Sequence, residues 1–151
     1  MRVISLIGFL LLLASCQSGP LAPNLAAVPG MTAAQAVIAA ADAAPRGVPG
    51  DFALVVRRAE MVGPRLYLNS EADYRDQRNL SIAIQAHALP GLRARFGKDL
   101  RAALVGRDIR VRGVARRVRI GIFKDNGKRT RLYYYQTHVV VDSVGQISII
   151  G

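Results

Sequence analysis

The chain has 151 residues and carries 21 lysines and arginines against 10 acids, a formal charge of +11. Its single cysteine excludes an intrachain disulfide, so packing must hold the fold. The length suits one domain of ordinary size, and the charge favours acidic partners over basic ones.

Arg2 precedes an apolar run from Val3 to Leu13. Such a run is too short to span a bilayer and suits the core of a secretory signal. Leu13-Ala14-Ser15-Cys16 follows at once. This stretch resembles the signal of bacterial lipoproteins, where small residues precede a cysteine that is acylated and becomes the new first residue. The resemblance implies a signal peptide over 1–15, lipidation of Cys16 with palmitate-type chains, and a membrane anchor in the cell envelope. Gln17 is not aspartate, so the inner-membrane retention cue of that family is absent. The implied location is the outer membrane, facing the periplasm. Residues 16–30 hold Pro20, Pro23, Pro29, Gly19 and Gly30, a composition that reads as a flexible tether.

Residues 31–50 read as a short helix and linker. Thr32 stands three residues before Gln35, the spacing of a capping box, and an alanine-rich run continues to Ala44. Pro45 and Gly47 stop it. From Phe52 to Met61 the alternation of Leu54 and Val56 predicts a first strand, with a bulge at Arg57-Arg58. Gly63-Pro64 turns into a second strand at Leu66 and Leu68, and Leu80, Ile82 and Ile84 make a third. Leu92, Phe96, Leu100 and Leu104 recur at helical spacing, interrupted by Gly97. Strand four starts at Ile109 and Val111 and runs on through Val118, Ile120 and Ile122. Asn126-Gly127 predicts a type I′ turn, with a return strand from Thr130 to Tyr135. Further strands are expected at Thr137–Asp142 and Gln146–Ile150.

Three strands, a helix and two or more strands define a mainly β domain over 51–151. Arg65–Asn69, Leu104–Gly113 and Thr137–Ile147 resemble the corresponding stretches of exported bacterial OB-fold domains. That resemblance implies a five-stranded barrel with a helix between strands three and four, the short N-terminal helix lying outside it. OB barrels bind many ligand classes, so the fold selects no activity. The exported nucleases of that group use calcium-binding carboxylates that have no counterpart here.

The connection Glu71–Asn79 carries Glu71, Asp73 and Asp76. From Asp73, the alternate positions of a calcium loop fall on Arg75, Gln77 and Asn79, and the sixth residue is Arg78 rather than glycine. The pattern fits a solvated turn anchored by Tyr74, with a ligand-binding loop as the alternative. His87 and His138 are too few for a zinc site once Cys16 is acylated. No metal and no cofactor is expected.

The basic stripe is the strongest binding candidate. Arg110 and Arg112 oppose Ile109 and Val111 by strand alternation. Arg116-Arg117 is read as a bulge that puts Arg117 and Arg119 in the same field. Arg129 and Arg131 extend that field, and Tyr133 and Tyr135 add aromatic surface beside it. The expected function is a membrane-tethered, noncatalytic envelope binding module with this basic surface. The alternatives are an envelope enzyme acting on a phosphorylated or glycan substrate, or a brace in an envelope complex. The membrane partner comes through the N-terminal lipid. Anionic lipid, lipopolysaccharide or an envelope protein are the further candidates, and the compartment disfavours nucleic acid.

Overall fold

The structure is a computed structural model, which describes residues 30–150. The signal over 1–15, the lipidation at Cys16 and the tether up to Pro29 lie outside the described residues. Among the described residues no helix is long and apolar enough to cross a membrane.

The chain begins with a two-residue strand, β1 (Met31–Thr32), and helix α1 (Ala33–Asp42). The Thr32 side chain accepts from the Gln35 amide, and the Gln35 side chain accepts from the Thr32 amide at 2.9 Å, so the capping box closes both ways. Four strands follow: β2 (Val48–Val55), β3 (Arg58–Val62), β4 (Arg65–Asn69) and β5 (Leu80–Ile84). Helices α2 (Leu89–Phe96) and α3 (Leu100–Leu104) are separated at Gly97, and Asp99 caps α3 through the Arg101 and Ala102 amides. Two long strands, β6 (Asp108–Phe123) and β7 (Arg129–Val141), lead to the short β8 (Ile147–Ile149).

These eight strands correct the expected five-stranded OB-like barrel. Their ladders run β1-β2-β6-β7-β5-β4-β3, with β8 on the side of β6, and trace an open path in which no ladder joins β3 to β1 or β2. Pairing is mixed: β1–β2 and β5–β7 are parallel and the other pairs antiparallel. Among the described residues three α-helices are present, against one helix between strands plus one N-terminal helix.

The correction has a local cause. The run read as one first strand divides at Val56-Arg57. Val56 exchanges backbone bonds with Arg107 and Gly106 on the β6 side, whereas the Arg57 amide donates to Asn69 on the β4 side at 2.8 Å. Two residues thus hand the chain from one end of the ladder path to the other. The sheet curls, and one core forms inside the curve. Phe52, Leu68, Ile82, Ile109 and Val139 meet there, with Ala36 and Ala40 of α1 and Leu92 and Leu104 of the later helices.

Two further local expectations change. The turn between β6 and β7 is not type I′, because among the described residues only glycines have positive φ. Gly127 alone does, at 75°, and the Gly127 amide donates to Lys124 while the Lys124 amide donates to Lys128. That is a type I turn closed by a left-handed glycine. The return strand is also one continuous element, not two.

Candidate functional site

The β6–β7 hairpin is the dominant feature of the surface. Its register runs unbroken from Ala115↔Val139 to Gly121↔Tyr133, and the irregularity lies between Gly121 and Phe123. No bulge occurs at Arg116-Arg117. Strand alternation therefore keeps Arg117 and Arg119 on the side of Ile109, Val111 and Ala115, the core-facing side. Arg110 and Arg112 lie on the other side. The predicted basic residues are thus divided between two faces.

Arg112 is bound to Asp51 through two contacts, the shorter 3.0 Å. Arg110 is partly buried between Ala53 and Ser148, its neighbours across the ladders. Arg116, which the sequence placed at an expected bulge rather than in the binding field, donates to the Arg46 carbonyl.

The core-side face of the hairpin is built differently. The Arg117 guanidinium lies over the Tyr135 ring at 3.9 Å, and that of Arg119 over the Tyr133 ring at 4.0 Å. The two rings meet edge to face with centroids 5.5 Å apart. Each arginine reaches diagonally toward the hairpin end, a contact the cross-strand spacing allows. Arg129 extends the same layer. Its Nε sits 3.1 Å from where a side chain on Gly121 would begin, so the glycine makes room for it. Arg131 lies in the irregular stretch opposite Ile122 and is exposed. Among the described residues, none of these four arginines forms a salt bridge.

The hairpin end adds apolar surface. Phe123 is 61% and Leu132 67% exposed, with Ile122 beside them. From Arg116 to Tyr135 the chain carries seven cations and only one acid, Asp125.

The connection between β4 and β5 resolves into a pinned loop. Asn79 is buried, and its amide nitrogen donates to Asn69 Oδ1 and Ser81 Oγ, both at 3.0 Å, and to the Tyr74 carbonyl at 3.3 Å. Its oxygen accepts from the Glu71 amide at 3.1 Å. The acids make local turns: Asp73 accepts from the Arg75 amide and Asp76 from the Arg78 amide, each at 2.9 Å. Bonds from Arg78 hold the Asp76 carboxyl down at about 2. Among the described residues no three metal-ligating side chains cluster.

This loop walls a groove of about 760 Å³ on the outer face of the sheet. Tyr67 and Ser81 come from β4 and β5, Tyr74 and Arg75 from the loop, and Ile120, Tyr134, Gln136 and His138 from the hairpin. The ladder explains the convergence. Arg58, Asn69, Ser81, His138 and Arg116 are successive partners across five strands, so they form one row.

His138 is partly buried there. Burial, helped by the nearby Arg65 charge, lowers its pKa from 6.5 to about 4. Its Nε2 is 2.7 Å from Gln136 Oε1. The Gln136 amide nitrogen donates to the Tyr74 carbonyl at 3.2 Å and to the Tyr134 hydroxyl at 3.1 Å. Tyr67 meets the imidazole edge to face at 5.9 Å.

Sequence reasoning placed Tyr74 as an anchor but missed this network. The available signal was polar: Asn69, Asn79 and Ser81 interrupt otherwise apolar strand ends. No family model matches the chain, and no significant match to a curated protein was found.

Proposed function

We propose that the protein is a membrane-tethered binding module of the cell envelope, anchored through a lipid on Cys16, whose β6–β7 hairpin docks on an anionic membrane surface. The observation that carries this reading is the pairing of unneutralised guanidiniums with exposed apolar tips on one projecting element. Arg117, Arg119, Arg129 and Arg131 supply charge, and Phe123 and Leu132 supply surface that gains by leaving water. A purely soluble anion would account for the first and not the second. Each basic group near an anionic leaflet is worth about 1 kcal/mol, falling off within a Debye length.

The chain contains no tryptophan, which makes a single tryptophan at the hairpin end an unambiguous reporter. The full chain carrying Phe123→Trp should shift its emission to the blue on mixing with vesicles that contain anionic lipid. The shift should fade as salt rises and be absent with zwitterionic vesicles. Changing Arg117, Arg119, Arg129 and Arg131 to glutamine should remove most of the shift, because roughly 4 kcal/mol of attraction goes with four charges. An emission indifferent to anionic lipid, or one unchanged in the four-arginine variant, rejects the docking. The reporter sits on the hairpin, so the lipid anchor alone cannot produce the signal.

A further inference from the structure

We infer that the groove on the opposite side of the hairpin is a binding site for an uncharged, hydroxyl-rich glycan segment, with tyrosine rings as its walls and His138 and Tyr134 as its polar contacts. The groove shares Ile122 and Phe123 with the hairpin end, but its polar contacts lie apart from Arg117, Arg119, Arg129 and Arg131, and the inference does not rest on membrane docking.

The argument starts from one backbone carbonyl. The Tyr74 carbonyl can only accept, so the Gln136 group facing it must be the amide nitrogen. The Gln136 oxygen then faces His138 Nε2, which must carry its proton to donate at 2.7 Å. The imidazole is neutral, so Nδ1 is a bare acceptor. Among the described residues Nδ1 has no protein partner, which leaves it free to accept from a ligand in the groove. Burial and the Arg65 charge resist protonation there and keep it an acceptor.

Tyr134 is fixed in the complementary sense. Its hydroxyl oxygen accepts from Gln136 at 3.1 Å, which leaves its own proton to give away. The groove therefore offers one neutral acceptor and one neutral donor, held by a shared glutamine. A sugar hydroxyl answers both, because it donates and accepts.

Charge and shape narrow the class. In a chain of formal charge +11, the groove lining holds one acid and one fixed cation, Glu60 and Arg75. Glu60 is paired with Arg58 at 2.8 Å, and Arg75 lies over the Tyr74 ring at 5.1 Å. The lining is balanced in formal charge, one acid against one cation, with Arg75 beside the Tyr134 hydroxyl, so a neutral ligand fits it better than an anion. Tyr67, Tyr74 and Tyr134 give apolar ring surface with polar tips, which suits the C–H faces of a pyranose. The volume, about 760 Å³, is of the size that takes a small ligand.

The test uses the full chain in a sugar-free zwitterionic detergent, titrated separately with chitotriose and cellotriose and followed by amide and His138 ring NMR shifts. Saturable changes should concentrate on Tyr67, Tyr74, Gln136 and His138, with a Kd of about 1 mM or tighter for at least one sugar. Tyr134→Phe keeps the ring and removes the donor, and should weaken binding about fivefold. Tyr67→Ala should weaken it by about tenfold or more. Asp42→Asn, on α1, serves as the control and should match the parent chain. No shift with either sugar up to about 10 mM, shifts spread away from the groove, or a Tyr134→Phe chain that binds like the parent would overturn the inference. Stronger binding of trileucine than of both sugars would do the same.

Discussion

Replacing Asn79 with alanine probes the loop that walls the groove. Asn79 is 2% exposed and makes two bonds of 3.0 Å, to Asn69 and Ser81, with a longer one to the Tyr74 carbonyl. It also accepts from the Glu71 amide at 3.1 Å. The partners fare unequally once the side chain is gone. Asn69 Oδ1 keeps the Ser81 hydroxyl at 2.7 Å, and the Tyr74 carbonyl keeps Gln136. The Glu71 amide keeps nothing. Two good bonds at about 1 kcal/mol each, plus about 1 kcal/mol for the stranded amide, give a loss of about 3 kcal/mol. For a domain of this size that is a fall of roughly 10 °C in Tm.

Asn79→Asp should also destabilise despite its equal size. A carboxylate oxygen would replace the amide nitrogen and face Asn69 Oδ1, acceptor against acceptor. Thermal unfolding by far-UV circular dichroism measures both variants, and hydrogen exchange at the Glu71 amide reports the loop itself. If Asn79→Ala lowers Tm by less than about 3 °C, with Glu71 still protected, the loop is held by something else and the reasoning fails.

His138 gives the fold a pH dependence of defined sign. Its folded pKa, about 4, lies below the ordinary 6.5, so the unfolded chain takes the proton first. This contribution is complete above pH 6.5 and drains away as pH falls toward 4, by roughly 2 kcal/mol between pH 7 and 4.5. Urea unfolding at those two pH values should show it in the parent chain and lose most of it in His138→Gln; identical slopes would remove His138 as the source. Gly113→Ala should cost about 1–3 kcal/mol, because the new Cβ would stand 2.6 Å from Val139 Cγ1 in the buried core. Urea midpoints measure it, and an unchanged midpoint would mean that β6 and β7 can separate locally.

What could be read from the sequence was what is local. Thr32 and Gln35 form their capping box within one helical turn, and Leu92, Phe96, Leu100 and Leu104 fall in the two later helices. The Asn126-Gly127 pair marked the hairpin, but the left-handed conformation fell on the glycine alone. The misreadings came from pairing at long range. Arg57-Arg58 suggested a bulge, whereas the strand breaks one residue earlier because Arg57 bonds to Asn69 and Val56 to Arg107. Arg116-Arg117 suggested another bulge, whereas the ladder with β7 continues through both. One phase error there moved two arginines to the wrong face. The groove was invisible for the same reason: His138 meets Ser81 only through the parallel β5–β7 ladder.

The arginine–tyrosine layer follows from how far the hairpin runs. On β6 the side that carries Ile109, Val111 and Ala115 has a core to face. Two residues beyond Ala115 that core has ended, yet alternation still points Arg117 and Arg119 to the same side. An apolar residue there would stand bare in water. A guanidinium laid on a tyrosine ring covers the apolar face and keeps its charge wet, for about 0.5–1 kcal/mol per stack. The opposite side passes through a different change. It begins with paired or shielded arginines, Arg112 on Asp51 and Arg116 on the Arg46 carbonyl, and ends with Ile120 and Ile122 against the groove. The same two strands thus present cations on one face and a neutral, aromatic-lined hollow on the other. Separate chemistry on the two faces is why a charge substitution and a hydroxyl substitution on one hairpin can be expected to disable different interactions.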